Sequence, residues 1–175
     1  EAELLAAGFR ITARRADESA GLAELALSLD VKPPAPDVRP IRSVLKDMEQ
    51  WHDNGHEIVV GVVDDMDGWR RLEPYWNALA RQTTGAKVFQ TYEYLYEWWV
   101  HLGWSARLYI IVALRDGVPA AIAPMEIDAS QWLHREQQCL TFLGEPPESD
   151  RPTVLVAPAD AALVDRIADY IVKRS

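Results

Sequence analysis

Three carboxylates are concentrated in one short segment, at Glu145, Glu148 and Asp150, directly after an apolar stretch typical of a strand. Loops at strand ends are where catalytic and binding residues are most often placed. A carboxylate in such a loop can accept a proton from a nucleophilic amine, provided that burial brings its pKa towards neutrality. Glu148 and Asp150 are therefore candidate catalytic residues. The alternative is a solvated acidic loop stiffened by neighbouring prolines, because runs of charge usually face water.

A second set of candidates lies in the aromatic segment 88–103, which begins at a possible N-cap, Thr91, and ends at Gly103. Its candidate substrate-binding residues are Tyr92, Trp98, Trp99 and His101. Aromatic side chains on a helix are also typical of a buried core. His101 near a helix C-terminus can equally act as a favourable charge on the helix dipole. Both interpretations remain open for these residues.

Cys139 is the single cysteine, so the sequence offers neither a disulfide framework nor a cysteine-based zinc site. The four histidines are scattered without metal-ligand spacing, and no metal is expected. A lone thiol within an apolar strand is typical of a reducing compartment, which predicts a cytoplasmic location.

The bulk composition excludes several classes of protein. A hydrophobic content of 49% and a charged content of 26% are typical of a folded globular chain. The net charge of −9 makes nucleic-acid binding unfavourable, because phosphate contacts require a basic surface. No apolar stretch has the length needed for a membrane span, and none is expected.

The first part of the chain is predicted to be helical. Apolar residues at helical spacing suggest two helices, one with Leu22, Leu25, Ala26 and Leu29 on its face, the other with Ile41, Val44, Leu45, Met48 and Trp51. Asn54-Gly55 is predicted to end the second helix as a C-cap. The proline-rich linker 32–40 separates them. We therefore expect residues 1–55 to form a helical extension and 56–175 a second domain.

The second domain is predicted to be α+β around a mostly antiparallel sheet with flanking helices. The β-branched run 58–63 predicts a buried strand. Helical spacing follows in Trp69, Leu72, Trp76 and Leu79, with Pro74 expected to start a new helix. Asp116-Gly117 between two apolar runs predicts a hairpin. Two further strands are predicted at about 138–143 and 153–157. The last predicted element is a helix at about 159–173, whose apolar face has Leu163, Ile167, Tyr170 and Ile171.

The order and spacing of motifs over about residues 67–175 resemble the CelD-type, FemAB-like branch of the GNAT acyltransferases. The motifs that carry the resemblance are Trp76 and Leu79, then Phe89, Gln90, Tyr94, Leu95, Trp98 and Trp99, then Gly117, Ala121 and Pro124 with Met125 in place of leucine, and finally Leu143-Gly144 with Ser149-Asp150. The family's tyrosine after that last aspartate is replaced by Arg151-Pro152.

The resemblance implies acyl transfer from an acyl-CoA co-substrate to an amine or hydroxyl, often in the synthesis of cell-envelope or exopolysaccharide material. GNAT enzymes hold the CoA pyrophosphate with an Arg/Gln-x-x-Gly-x-Gly/Ala segment at a helix N-terminus. The nearest candidates, Arg81 to Gly85 and Arg115 to Gly117, lack its spacing and second glycine. We therefore expect the N-terminal half of a GNAT-like domain, which by itself does not bind acyl-CoA.

Two classes of function follow. The first is part of an acyl-CoA-dependent N- or O-acyltransferase, with the missing C-terminal half of the domain as its partner. The second is a non-catalytic binding or assembly module of the same architecture. In either case an uncovered strand edge is expected to favour self-association, through strand addition or through exchange of the N-terminal extension.

Overall fold

The computed structural model describes residues 9–13, 25–29, 40–103, 106–128, 139–144 and 152–174. The chain divides into two compact units, Glu1–Val38 and Arg39–Ser175. The first unit contains the antiparallel hairpin of β1 (Phe9–Ala13) and β2 (Leu25–Leu29), in which Phe9 pairs with Leu29 and Ala13 with Leu25.

The second unit is α+β and antiparallel, as predicted. Its helices and strands are β3 (Lys46–Asp53), β4 (His56–Val63), α1 (Met66–Gln82), α2 (Tyr92–Leu102), β5 (Ala106–Leu108), β6 (Ile110–Arg115), β7 (Val118–Ala123), β8 (Met125–Asp128), β9 (Cys139–Phe142), β10 (Leu155–Val156) and α3 (Leu163–Val172). A five-stranded sheet has the order β10-β7-β6-β4-β3, and a three-stranded sheet has the order β5-β8-β9. The two sheets are continuous along the chain, because β5 leads into β6 and β7 leads into β8.

Helices cover both faces of the five-stranded sheet. On one face α1 and α2 bury Trp69, Leu72 and Trp76 against Val112 and Leu155. On the opposite face the buried residues of α3, which are Leu163, Ile167 and Tyr170, pack on the other side chains of the same strands. Because side chains alternate along a strand, one apolar strand supplies both layers.

The helical prediction for the start of the chain was wrong. Leu25–Leu29 is the strand β2, and its leucines at alternate positions match a strand period as well as a helical one. Residues 41–44 form a short 3₁₀ turn, and Lys46–Asp53 is the edge strand β3. Leu22 and residues 32–39 of the linker lie outside the described residues.

The interpretation of Asn54-Gly55 as a helix cap was also wrong. Both residues have positive φ, 49° and 83°, and they form the two-residue turn of the β3–β4 hairpin. Asn-Gly tolerates the left-handed region in a type I′ turn as readily as in a helix cap, so the dipeptide alone does not distinguish them. Pro74 lies inside the continuous helix α1 and does not start a new one.

Two local expectations, one for a helix and one for a turn, are confirmed. The helix from Tyr92 is capped by the hydroxyl of Thr91, which accepts a hydrogen bond from the Tyr94 N–H, and it ends at Gly103. Asp116 and Gly117 form the β6–β7 turn with φ of 50° and 82°. No helix in the described parts of the chain is long and apolar enough to cross a membrane.

Candidate functional site

Two of the predicted substrate-binding residues, Tyr92 and Trp99, belong to an aromatic cluster between α1 and α2. The Trp69 ring lies 6.1 Å from Tyr92 and 6.3 Å from Trp99, centroid to centroid. Tyr92 is buried, and this burial raises the pKa of its phenol. Its ring therefore packs within the core. A residue that binds substrate in an open pocket must reach solvent, and the ring of Tyr92 does not.

Trp98 has a different environment, at the point where the chain leaves β9. A Cβ placed on Gly144 would lie 3.8 Å from the indole of Trp98 and 2.7 Å from Leu95 Cδ2. Gly144 also has a φ of 74°, which favours glycine. The first residue of the segment that carries the predicted carboxylates thus packs directly beneath Trp98.

His101 follows Trp98 by one helical turn on α2. Its imidazole is exposed, and Nε2 lies 3.4 Å from the carboxylate of Glu97. Residues three apart on a helix are neighbours on its surface. His101 is therefore close to Trp98 but away from Tyr92 and Trp99, which point towards α1.

Glu148 and Asp150, with Glu145, lie outside the described residues, but both ends of their segment are described. On the incoming side, β9 pairs with β8, and the Leu143 N–H donates to the Pro124 carbonyl at 2.9 Å. On the outgoing side, β10 pairs with β7, with Leu155 opposite Ile122. β9 is thus an outer strand of the three-stranded sheet and β10 an outer strand of the five-stranded sheet. The candidate carboxylates lie in the sequence between these two outer strands.

A groove of about 410 Å³ lies beside β10. Its lining is uncharged and combines apolar side chains with three hydroxyls: Thr83, Thr84, Phe142, Pro152, Thr153, Val154, Val156, Pro158, Ala161 and Val164. Pro152 follows Asp150 by two positions, so the groove adjoins the segment of the candidate carboxylates. An uncharged lining with hydroxyls suits a neutral, partly apolar ligand better than a phosphate.

Thr83 joins the end of α1 to β10 and was not singled out from the sequence. Its hydroxyl accepts a hydrogen bond from the Val156 N–H at 2.8 Å and lies 2.9 Å from the Leu79 carbonyl and 3.2 Å from the Val156 carbonyl. One side chain therefore ends a helix and satisfies the outward amide of an edge strand. Threonine is common at helix ends, so the sequence around Thr83 does not indicate that its side chain bonds to a distant strand.

Glu126 is a second residue that sequence reasoning missed. It is 9% exposed, and its cross-strand neighbours in the three-stranded sheet are Leu108 and Thr141. Paired residues share a face of the sheet, and Leu108 packs in the same apolar cluster as Trp98. Glu126 therefore faces α2. The alternation of apolar and acidic residues in Met125–Asp128 is the sequence signal that could have indicated it.

Neither a metal centre nor a known relative explains this arrangement. Within the described ranges, no three histidine, cysteine, aspartate or glutamate side chains come together in a way that could hold a metal ion. Comparisons with protein-family models, with curated proteins and with solved structures found no match to this chain.

Proposed function

We propose that this chain is part of an acyl-CoA-dependent N- or O-acyltransferase, acting in the synthesis of cell-envelope or exopolysaccharide material. The observation that supports it best concerns the two described ends of the acidic segment: Gly144 packs against Trp98 at one end, and Pro152 lines an uncharged groove at the other. Aromatic and hydroxyl groups thus lie at the described ends of a segment whose sequence carries carboxylates, and an acceptor site for acyl transfer needs these three kinds of group.

The proposed roles divide between the two ends of that segment. Asp150, assisted by Glu148, accepts the proton of the acceptor amine or hydroxyl as it attacks the thioester carbonyl. Trp98 and His101 border the acceptor, while Tyr92 and Trp99 hold α2 in place through the aromatic cluster. Acyl-CoA is the co-substrate, and its pyrophosphate is held by a glycine-rich segment that this sequence does not contain. We place the reaction in the cytoplasm, where the thiol of Cys139 stays reduced.

The test is release of CoA from acetyl-CoA and from a long-chain acyl-CoA, with amine and sugar acceptors, in the full natural protein. We expect Asp150→Asn to reduce kcat at least about tenfold, since one acid–base group typically contributes more than that, and Glu148→Gln to have a smaller effect. The matched control is Asp53→Asn, which removes an exposed carboxylate from the β3–β4 hairpin, far from Asp150 in the sequence. Equal turnover in wild type and the Asp150 variant would return both acidic residues to a solvated loop.

A non-catalytic binding or assembly module is the second candidate. The uncharged edge at β9 favours it, because such an edge offers backbone groups to another chain without charge repulsion. The two candidates differ in the same assay: a module of this kind releases no CoA with any acceptor.

A further inference from the structure

One edge of the described sheets, at β9, has backbone groups that point away from the fold. The Leu143 N–H donates to the Pro124 carbonyl, so by alternation the Thr141 N–H also faces β8. The N–H and C=O groups of Leu140 and Phe142 therefore point outward. In the part of the chain that the structure describes, β9 pairs with β8 alone.

This edge carries no charged side chain among its described residues. They are Cys139, Leu140, Thr141, Phe142, Leu143 and Gly144. Phe142 also lines the groove beside β10, so space for added side chains adjoins the edge. Edges of this kind are the ones that accept a further strand.

The β3 edge of the five-stranded sheet, by contrast, is protected. It contains Lys46, Asp47 and Glu49, and its register shifts at a bulge where Asp47 has a φ of 50°. Glu49 is bound by Lys173 and Arg174 from the end of α3. Charge, a bulge and a covering helix end are the devices by which proteins prevent edge-to-edge pairing. The contrast between the two edges indicates that only one of them is closed to strand addition.

We propose that the β9 edge is a homodimer interface, where β9 of a second copy adds antiparallel about a two-fold axis. A copy of this chain carries a net charge of −9 and is repelled from most of the surface of another copy. The β9 edge is a neutral stretch that two copies can share without that repulsion. Antiparallel pairing of a strand with itself is also the geometry that a two-fold axis produces.

Hydrogen exchange of the wild-type chain, measured at several protein concentrations together with its mass by light scattering, tests the proposal. The Leu140 and Phe142 amides should exchange at least about tenfold more slowly when the dimer forms. The amides of β3 should not respond to concentration. A monomeric mass at every concentration overturns the proposal, and so does protection at β9 that is independent of concentration, which would mean that the edge is covered from within one chain.

A pair of lysine variants gives the second test. Thr141→Lys adds a charge to the neutral edge strand beside its cross-strand neighbour Glu126, and that charge must lose water when two copies pair, so association should weaken at least about tenfold. His52→Lys adds the same charge to the exposed, already protected β3 edge and should leave association unchanged. Equal dimer affinity in the two variants contradicts the assignment of the interface to β9. Should Thr141→Lys fail to fold, the exchange measurement on the wild-type chain decides the question.

Discussion

The Tyr170 hydroxyl donates a hydrogen bond to the Asp47 main-chain oxygen at 2.7 Å and thereby fixes the end of α3 to the far edge of the sheet. The same oxygen accepts a hydrogen bond from Arg174 at 2.9 Å, and the Arg174 guanidinium lies 3.7 Å from the Tyr170 ring centroid. Because α3 follows β10 and reaches β3, it crosses the whole five-stranded sheet. Tyr170 thus fixes the helix that follows one outer strand, β10, to the other outer strand, β3.

Removing that hydroxyl should loosen the helix end. We expect Tyr170→Phe to lower the free energy of unfolding by about 1–2 kcal/mol, because a buried hydrogen bond is lost and an acceptor loses one of its donors. Urea denaturation measures it. Tyr96→Phe is the matched control, since its hydroxyl accepts from the exposed Arg70 and should contribute less. Equal losses in the two variants would contradict a special role for Tyr170.

Thr83→Val should uncouple α1 from β10. The substitution keeps the shape of the side chain and removes the hydroxyl that satisfies the Val156 N–H, which should cost about 1–3 kcal/mol of stability. Hydrogen exchange at Val156 should accelerate as well. Thr84→Val, at the exposed neighbouring position, provides the control. An unchanged exchange rate at Val156 would show that another group satisfies this amide.

Gly144→Ala tests the contact between the acidic segment and α2. Gly144 and Gly85 have similar φ, 74° and 81°, so alanine at either costs about 1–2 kcal/mol of backbone strain. At Gly85 the new Cβ meets nothing within 4 Å, whereas at Gly144 it lies 2.7 Å from Leu95 Cδ2. We expect Gly144→Ala to be the more destabilising by about 1–3 kcal/mol of overpacking. Thermal unfolding of both variants measures the difference, and equal melting temperatures would contradict the close approach of Gly144 to α2.

Asp116 should make stability dependent on pH in the acid range. Its carboxylate lies 2.6 Å from His56 Nδ1 and accepts the Glu57 N–H at 3.0 Å. The hydrogen bond from His56, followed by that from the Glu57 amide, holds the pKa of Asp116 below its usual 3.8. A lowered carboxylate pKa contributes stability that is complete above the usual value and is lost as the pH falls through the lowered one.

The melting temperatures of wild type and Asp116→Asn should therefore differ at about pH 5 and converge towards about pH 2. Asp53→Asn, on the neighbouring hairpin, is the control and should follow the wild type. A difference between wild type and Asp116→Asn that stays constant across this range would mean that the carboxylate is not held in its charged form by His56.

In the second unit, the sequence by itself predicted the α+β class, helices near 69–79, 91–103 and 159–173, and strands near 58–63, 138–143 and 153–157. Trp69, Leu72 and Trp76 recur at the helical period, and Asp116-Gly117 fits a tight turn, so local physics was sufficient there. It failed at β3, where the bulge beside Asp47 shifts the phase of alternation and hides the strand. An exposed edge strand also buries too few residues to show a clear period of two.

Only the tertiary structure decided which distant groups meet. β9 pairs with β8, and β10 pairs with β7. Hydrogen bonds join Val156 to Thr83 and Tyr170 to Asp47, which are far apart in the sequence. Each depends on how the strands order themselves in the sheet. That order follows from burying all apolar faces together, and no local pattern of residues encodes it.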